Sequence, residues 1–339
     1  MEKDTISSIK SLLSTPQHIV IIPHKNPDGD AIGSTLALSH YFTMKGHKPV
    51  VIAPNDYPEF LKWMPGEEAI LKYDSQTIRC NQEIEKSELI FTLDFNALGR
   101  IGDMGLIVEA SKAKKIMIDH HQQPEDYADF MYSDVSMSST CEMIYNFIEM
   151  LGDASLIDQD IATCLYTGIM TDTGSFRFAS TSSHTHTVIG KLIETGIKNS
   201  EIHNNINDSN SYERMQLLGC ALGNLKVIPE YHTAYITLTQ EELNKFNFKK
   251  GDTEGFVNYG LSLKGVRFAA IFIESHQDKI IKISLRSKGD FSVNDVARTY
   301  FEGGGHTNAA GGKSDLSLKN TVDKFISILP NYQKELQSL

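Results

Sequence analysis

The chain has 339 residues, 40% of them hydrophobic and 22% charged, with a formal net charge of −11. That length exceeds one typical core and suggests two domains, in a composition ordinary for a globular protein. The acidic balance argues against tight, sequence-independent binding to duplex nucleic acid, and no apolar run approaches the ~18 residues of a membrane helix.

MEKDTISSIK at the start lacks a cationic stretch followed by an apolar one, so no secretory signal is expected and the location reads as cytoplasmic. HIVIIP (18–23), KPVVIA (48–53), ELIFTLD (88–94) and KKIMID (114–119) read as strands. Their continuous apolar character suits strands covered on both faces. Ala31–Lys45, Asp103–Ala113, Ser139–Leu151 and Asp158–Met170 read as helices, and this alternation predicts a doubly wound, mostly parallel α/β domain over 1–190. The pattern then turns helical, giving a connector over 191–227. A smaller α+β domain over 228–339 follows, with YHTAYITL, VRFAAIFIES and KIIKISLRS as strands and SVNDVARTYF and KNTVDKFISIL as helices. Cys80, Cys141, Cys164 and Cys220 form no CxxC pair, so neither a disulfide framework nor a thiolate zinc site is expected.

Charge is unevenly placed: residues 1–225 hold 17 Lys+Arg against 30 Asp+Glu, whereas 226–339 hold 15 against 13. The first part suits bound cations and the second suits an anion. The polar residues that end the strands agree. His24, Asp28 and Asp30 follow the first, Asp94 ends the third, and Asp119, His120 and His121 end the fourth. In an open parallel sheet the carboxyl ends of the strands form the binding crevice. Asp172, in MTDTGSF, joins them from the end of an apolar helical stretch.

Carboxylates crowded at one edge repel one another, and divalent cations remove that cost. Aspartate oxygens with imidazoles suit Mn²⁺, Mg²⁺ or a similar ion. Four aspartates with two or three histidines are enough for two cations sharing a bridging carboxylate, the arrangement of phosphoryl-displacement sites with metals ~3.5–4 Å apart. Ser138, Ser139 and Thr140 read as a helix cap. In the second domain EGGGHTNAAGG (302–312) offers backbone N–H groups to an anion, with His306 as a further donor, and Arg286 stands at a strand end where it could pair with phosphate.

Together, HKNPDGDAIGS, LDFN, IDHH, SSTCE, TDTGSF, GFVNY, SLRSK and GGGHTNAAGG resemble, in order, the motifs of the DHH phosphoesterase superfamily and its associated C-terminal domain. Length and wording are most similar to the bifunctional oligoribonucleases (nanoRNases) that also act as 3′-phosphoadenosine 5′-phosphate (pAp) phosphatases. The resemblance implies two Mn²⁺ ions, with Mg²⁺ or Co²⁺ as alternatives. His24, Asp28 and the bridging Asp94 would hold one ion; Asp30, Asp94, His120 and Asp172 would hold the other. It also implies His121 as a contact to the scissile phosphate or general acid, and Asp119 as the residue orienting His120. Arg286, Ser287, Gly303, Gly304, Gly305, His306 and, less directly, Asn258 would bind substrate.

The implied enzyme is an exoribonuclease and bisphosphate nucleotidase. It would release 5′-mononucleotides from short single-stranded RNA and AMP from pAp, acting on neither duplex nor membrane, with a homo-oligomer left open. The alternatives are a phosphodiesterase of linear or cyclic dinucleotides (pApA, c-di-AMP) and a nucleotide sensor without turnover.

Overall fold

The computed structural model describes Met1 and residues 3–337; Glu2, Ser338 and Leu339 fall within the expected domains but lie outside the described residues. The chain divides into two compact units, Met1–Ser209 and Asn210–Leu339. The first contains strands β1 (His18–Pro23), β2 (Lys48–Ala53), β3 (Leu71–Lys72), β4 (Leu89–Leu93), β5 (Lys114–Asp119) and β6 (Phe130–Ser133). They form one sheet in the order β3-β2-β1-β4-β5-β6, every neighbouring pair parallel. Its helices are α1 (Lys3–Leu12), α2 (Gly29–Met44), α3 (Tyr73–Lys86), α4 (Met104–Ala110), α5 (Thr140–Met150), α6 (Gln159–Asp172), α7 (Ser183–Glu194) and α8 (Asn199–Asn207).

Alternation along β1 explains its unbroken apolar run. Ile19 and Ile21 enter the core built with α2, α5 and α6, whereas Val20 and Ile22 enter the opposite core with α3 and α4. A doubly covered strand has no polar face to show. Chain order reverses between β1 and β4, which places the crevice at their carboxyl ends.

Helix α2 lies against α6 at glycine contacts. A Cβ on Gly33 would stand 2.5 Å from the Cys164 carbonyl oxygen, and one on Gly29 would stand 2.4 Å from the Thr171 hydroxyl. Only a missing side chain permits this approach. At its other end α2 is tied down by Asp153, whose carboxylate accepts from the Tyr41 hydroxyl at 2.6 Å and from Lys45 at 3.0 Å. Partial burial works to raise the Asp153 pKa, but these two donors outweigh it and lower it. A depressed folded-state pKa adds stability above the unfolded carboxyl value and loses it as pH falls through the folded one. Asp153→Asn is therefore expected to lower the melting temperature at neutral pH and to match the wild type once pH drops well below about 3.9, as thermal melts across pH would record.

The second unit holds a mixed sheet in the order β11-β12-β10-β9-β8-β7. Its strands are β7 (Lys226–Ile228), β8 (Thr233–Leu238), β9 (Phe268–Ser275), β10 (Ile280–Ser287), β11 (Gly304–Gly305) and β12 (Ala309–Ser314). All neighbours are antiparallel except β8 and β9, which are parallel. Helices α9 (Tyr212–Gly223), α10 (Gln240–Lys245) and α11 (Phe256–Leu261) line one face, and α12 (Val293–Tyr300) and α13 (Leu318–Ile328) line the other.

Several elements went unforeseen, among them helices α1, α3, α10 and α11 and strands β3, β6, β7, β11 and β12. The edge strands β3 and β6 are too short to carry a pattern. Helix α3 fully buries only Cys80 and Ile84, and α1 fully buries only Ile9, with Ile6 and Leu12 half-buried beside it on the core, so each presents only a narrow apolar face. All four cysteines are free thiols. No helix among the described residues is long and apolar enough to cross a membrane.

Candidate metal centre

Asp28 is both a cap and a site residue. Its Oδ1 accepts from the Asp30 and Ala31 amides at 3.1 and 3.0 Å, which starts α2, while its Oδ2 lies 3.7 Å from His24 Nε2. The Asp-Gly pair after β1 is thus a helix start that leaves one oxygen for the crevice. The cap makes α2 begin at Gly29, two residues before the expected Ala31, and the first turn carries Asp30 inward.

Asp94 follows β4 in the left-handed region at φ +66°. This conformation costs most residues about 1–2 kcal/mol, and Asp and Asn tolerate it best. It aims the two oxygens at different partners: Oδ2 is 3.4 Å from His24 Nε2, and Oδ1 is 3.5 Å from His120 Nε2. Around His120 Nε2 also stand Asp30 at 3.8 Å and Asp172 at 3.5 Å. Donor atoms of His24, Asp28 and Asp94 lie within 4.8 Å of one another, as do those of Asp30, His120 and Asp172. Asp94 therefore stands between two groups and faces both.

Each imidazole is set by the main chain. His24 Nδ1–H donates to the Lys25 carbonyl at 2.9 Å and His120 Nδ1–H to the Met137 carbonyl at 3.2 Å. Both rings thereby present Nε2, the nitrogen a cation would take. This corrects the expectation that Asp119 orients His120. Residues two apart at a strand end share a side, so Asp119 serves His121: its Oδ1 accepts from His121 Nδ1 at 2.7 Å and its Oδ2 from the His121 amide at 3.0 Å.

The sequence favoured a helix cap at the start of α5 over a place in the centre, and the structure gives it both. Ser139 caps it, accepting from the Glu142 amide at 3.0 Å. The next two amides grip Asp30, Thr140 N–H on Oδ2 at 2.6 Å and Cys141 N–H on Oδ1 at 2.8 Å, while the Thr140 hydroxyl reaches Asp94 Oδ1 at 3.0 Å. Hydrogen bonds to a charged acceptor are each worth ~1.5–3 kcal/mol. SSTCE carried the cap signal, but only the fold reveals which carboxylate meets it. Sequence reasoning missed Asn96: its side chain donates to the Gln122 carbonyl and its own carbonyl accepts from Glu125, which holds the loop after His121.

Electrostatics follow from crowding. Burial works against a charged His24, but Asp28 and Asp94 outweigh it and raise its pKa to about 10. His120 rises well above the usual imidazole range against the same burial, lifted by Asp94, Asp172 and Asp30. Burial first, then Asp94 and Asp172, push Asp30 well above the usual carboxylate range. Burial also works to raise Asp94, but the imidazoles of His120 and His24 hold it well below. The site is short of positive charge. Its grouped donors are carboxylate oxygens and imidazole nitrogens without a thiolate, and the Cys141 sulfur instead faces the Asp30 carbonyl at 3.6 Å. That donor set fits hard to borderline divalent cations.

The expected substrate residues of the second unit do not form one surface. Arg286 pairs in register with Ala269 and Ala309, on the sheet face of α11, where Asn258 sits. Ser287 points to the opposite face, where its hydroxyl donates to the Phe291 carbonyl at 2.6 Å and accepts from Asn308 at 2.8 Å. Consecutive strand residues alternate faces, so the Arg286–Ser287 pair expected to act together is split.

The glycine run is also different from the open anion cradle expected. Gly303 N–H donates to the Ala297 carbonyl at 3.2 Å and Gly305 N–H to the buried Asn294 Oδ1 at 2.8 Å. His306 lies at a tight turn, its amide on the Ala309 carbonyl at 2.7 Å. Glycine is required here by packing: a Cβ on Gly303 would stand 1.9 Å from the Gly311 carbonyl oxygen.

A parallel sheet whose carboxyl edge gathers these carboxylates and imidazoles is the architecture of a divalent-cation-dependent hydrolase, and that is the class the fold and site define. Residues 18–169 match the model of the DHH family, N-terminal domain, and residues 230–335 match that of the DHHA1 domain. The chain belongs to the DHH family. It is 30% identical over 294 residues to the bifunctional oligoribonuclease and PAP phosphatase NrnA of Thermus thermophilus, covering 86% of this chain and 83% of that one. It is 29% identical to the protein of the same name from Bacillus subtilis, covering 94% of this chain and 95% of that one. The crystal structure of an exopolyphosphatase-related protein from Bacteroides fragilis superposes with a TM-score of 0.94 at 41% identity, covering 99% and 98%. The cyclic-di-AMP phosphodiesterase PdeA of Listeria monocytogenes is 25% identical over 96% of this chain, which spans 49% of its length.

Proposed function

We propose that the chain is a Mn²⁺-dependent phosphoesterase that cleaves short single-stranded oligoribonucleotides to 5′-mononucleotides and removes the 3′-phosphate of pAp. The observation that carries this reading is Asp94, whose two oxygens face two separate imidazole-carboxylate groups at 3.4 and 3.5 Å. The activities for which the Thermus and Bacillus relatives are named support it.

In this reading His24, Asp28 and Asp94 hold one cation, and Asp30, Asp94, His120 and Asp172 hold the other. Two such cations would make a water nucleophilic at neutral pH and neutralise phosphate charge. His121, with Nδ1 fixed on Asp119, keeps Nε2 as the atom that touches the scissile phosphate or gives a proton to the leaving oxygen. The amides of Thr140 and Cys141 keep Asp30 from swinging as charge shifts. In the second unit Arg286 and His306 bind the anionic and nucleoside end of the substrate.

The test is release of mononucleotide from a labelled pentanucleotide and of AMP from pAp. Chelation with EDTA is expected to abolish both and added Mn²⁺ to restore them. Binding without release would instead indicate a nucleotide sensor. A second reading, cleavage of cyclic or linear dinucleotides such as c-di-AMP and pApA, is favoured by the likeness to PdeA. Competition among dinucleotide, pentanucleotide, pAp and c-di-AMP separates the two by relative kcat/KM.

A further inference from the structure

Beyond Asp172 the motif continues as TGSFRF into a loop that the metal centre does not use. Ser175 and Phe176 are consecutive non-glycine residues in the left-handed region, at φ +59° and +66°. Such backbone persists only where its surroundings over-determine it, and they do. Ser175 N–H donates to the Met170 carbonyl at 2.8 Å; the Arg177 and Phe178 amides both donate to the Thr173 carbonyl at 2.9 and 3.0 Å; the Thr173 hydroxyl accepts from Phe176 N–H at 3.0 Å. The loop therefore closes on the neighbour of Asp172.

Phe176 anchors the loop, packing on Tyr166, His186 and His203 at ring-centre distances of 5.8, 6.0 and 6.5 Å. The two residues that follow are displayed. Phe178 is 41% exposed and joins none of the apolar cores, and its ring tip lies over Gly174, where a Cβ would come within 2.5 Å. Arg177 is exposed as well. Its Nε donates to the Gly174 carbonyl at 2.7 Å, which leaves its guanidinium carbon 6.0 Å from the Phe178 ring centre. A strained loop beside a proposed cation ligand thus displays an aromatic ring and a guanidinium side by side at the surface, held by contacts to Gly174 and outside the apolar cores.

The geometry points to Arg177 and Phe178 as a nucleobase platform: a base of the substrate stacks on Phe178, and the Arg177 guanidinium completes the stack from the side. Every base has a π-face, so such a platform accepts nucleotides regardless of sequence and disfavours phosphate esters without a base. This rests on the phosphoesterase reading above and names the feature by which that site would select nucleotides.

The experiment compares a 5′-phosphorylated adenylyl dinucleotide with an analogue abasic at one nucleoside, and AMP with ribose 5-phosphate in calorimetric titrations. Stacking losses translate into about 5- to 100-fold, so Phe178→Ala should raise KM for the dinucleotide by that factor with far less change in kcat. It should raise KM for the abasic analogue much less. Phe178→Trp should restore KM, whereas Phe178→Leu, apolar without a π-face, should not.

An equal KM rise for both substrates, rescue by Leu as complete as by Trp, or no rise at all would overturn the platform. Should the wild type release no mononucleotide, the phosphoesterase reading fails, and the titrations decide the platform alone. Weaker AMP binding in Phe178→Ala with unchanged ribose 5-phosphate binding upholds it, and unchanged AMP binding overturns it.

Discussion

Asp94→Asn is expected to abolish turnover, by more than about 100-fold, since even the partners that orient a metal ligand are worth 10–100-fold. Asparagine is the informative replacement. It tolerates the left-handed backbone at φ +66° and keeps an oxygen for the Thr140 hydroxyl, so the fold should survive. What it removes is the charge that lets one side chain face both His24 and His120. Calorimetric titration with Mn²⁺ should show fewer bound ions than in the wild type, with an unchanged circular dichroism spectrum. Near-normal turnover with two ions bound would refute the bridging arrangement.

Gly168→Ala tests how the helices deliver ligands. Gly168 lies on α6, and a Cβ there would stand 2.1 Å from the Cys141 sulfur and 2.8 Å from Asp30 Oδ1. Overpacking of this kind costs ~1–3 kcal/mol, so the melting temperature should fall. Activity should fall further, because the clash pushes on the carboxylate that the Thr140 and Cys141 amides hold. Adding Cys141→Ala removes the sulfur and should recover much of the stability, while the contact with Asp30 remains and turnover stays low. Recovery of both together would mean that the methyl group acts only through the sulfur.

These two residues also mark what the sequence could and could not convey. The doubly wound sheet was legible because β1, β4 and β5 are covered on both faces and so read as unbroken apolar runs. Their terminal carboxylates and histidines were legible because several strand ends carry them together, although any one alone, like Asp28, also serves as a cap. Gly168 gave no signal, since what constrains it, the Cys141 sulfur and the Asp30 carboxylate, lies 27 and 138 positions away along the chain. The partner of Asp119 was misjudged because adjacency in the triplet suggested His120, whereas strand geometry sets residues two apart on the same side. In the second unit the glycines read as an open cradle. Their spacing instead reflects how closely 303–305 lie on β12, and Asn294, which takes one of their amides, belongs to no motif.

The rings of His24 and His120 are each held by a peptide oxygen, from Lys25 and Met137. Whatever side chain evolves at positions 25 or 137, that oxygen persists as long as the chain follows the same path. Inheritance of the imidazole tautomer is thereby written into the route of the backbone, and divergence can proceed far at the surrounding positions before either ring is released.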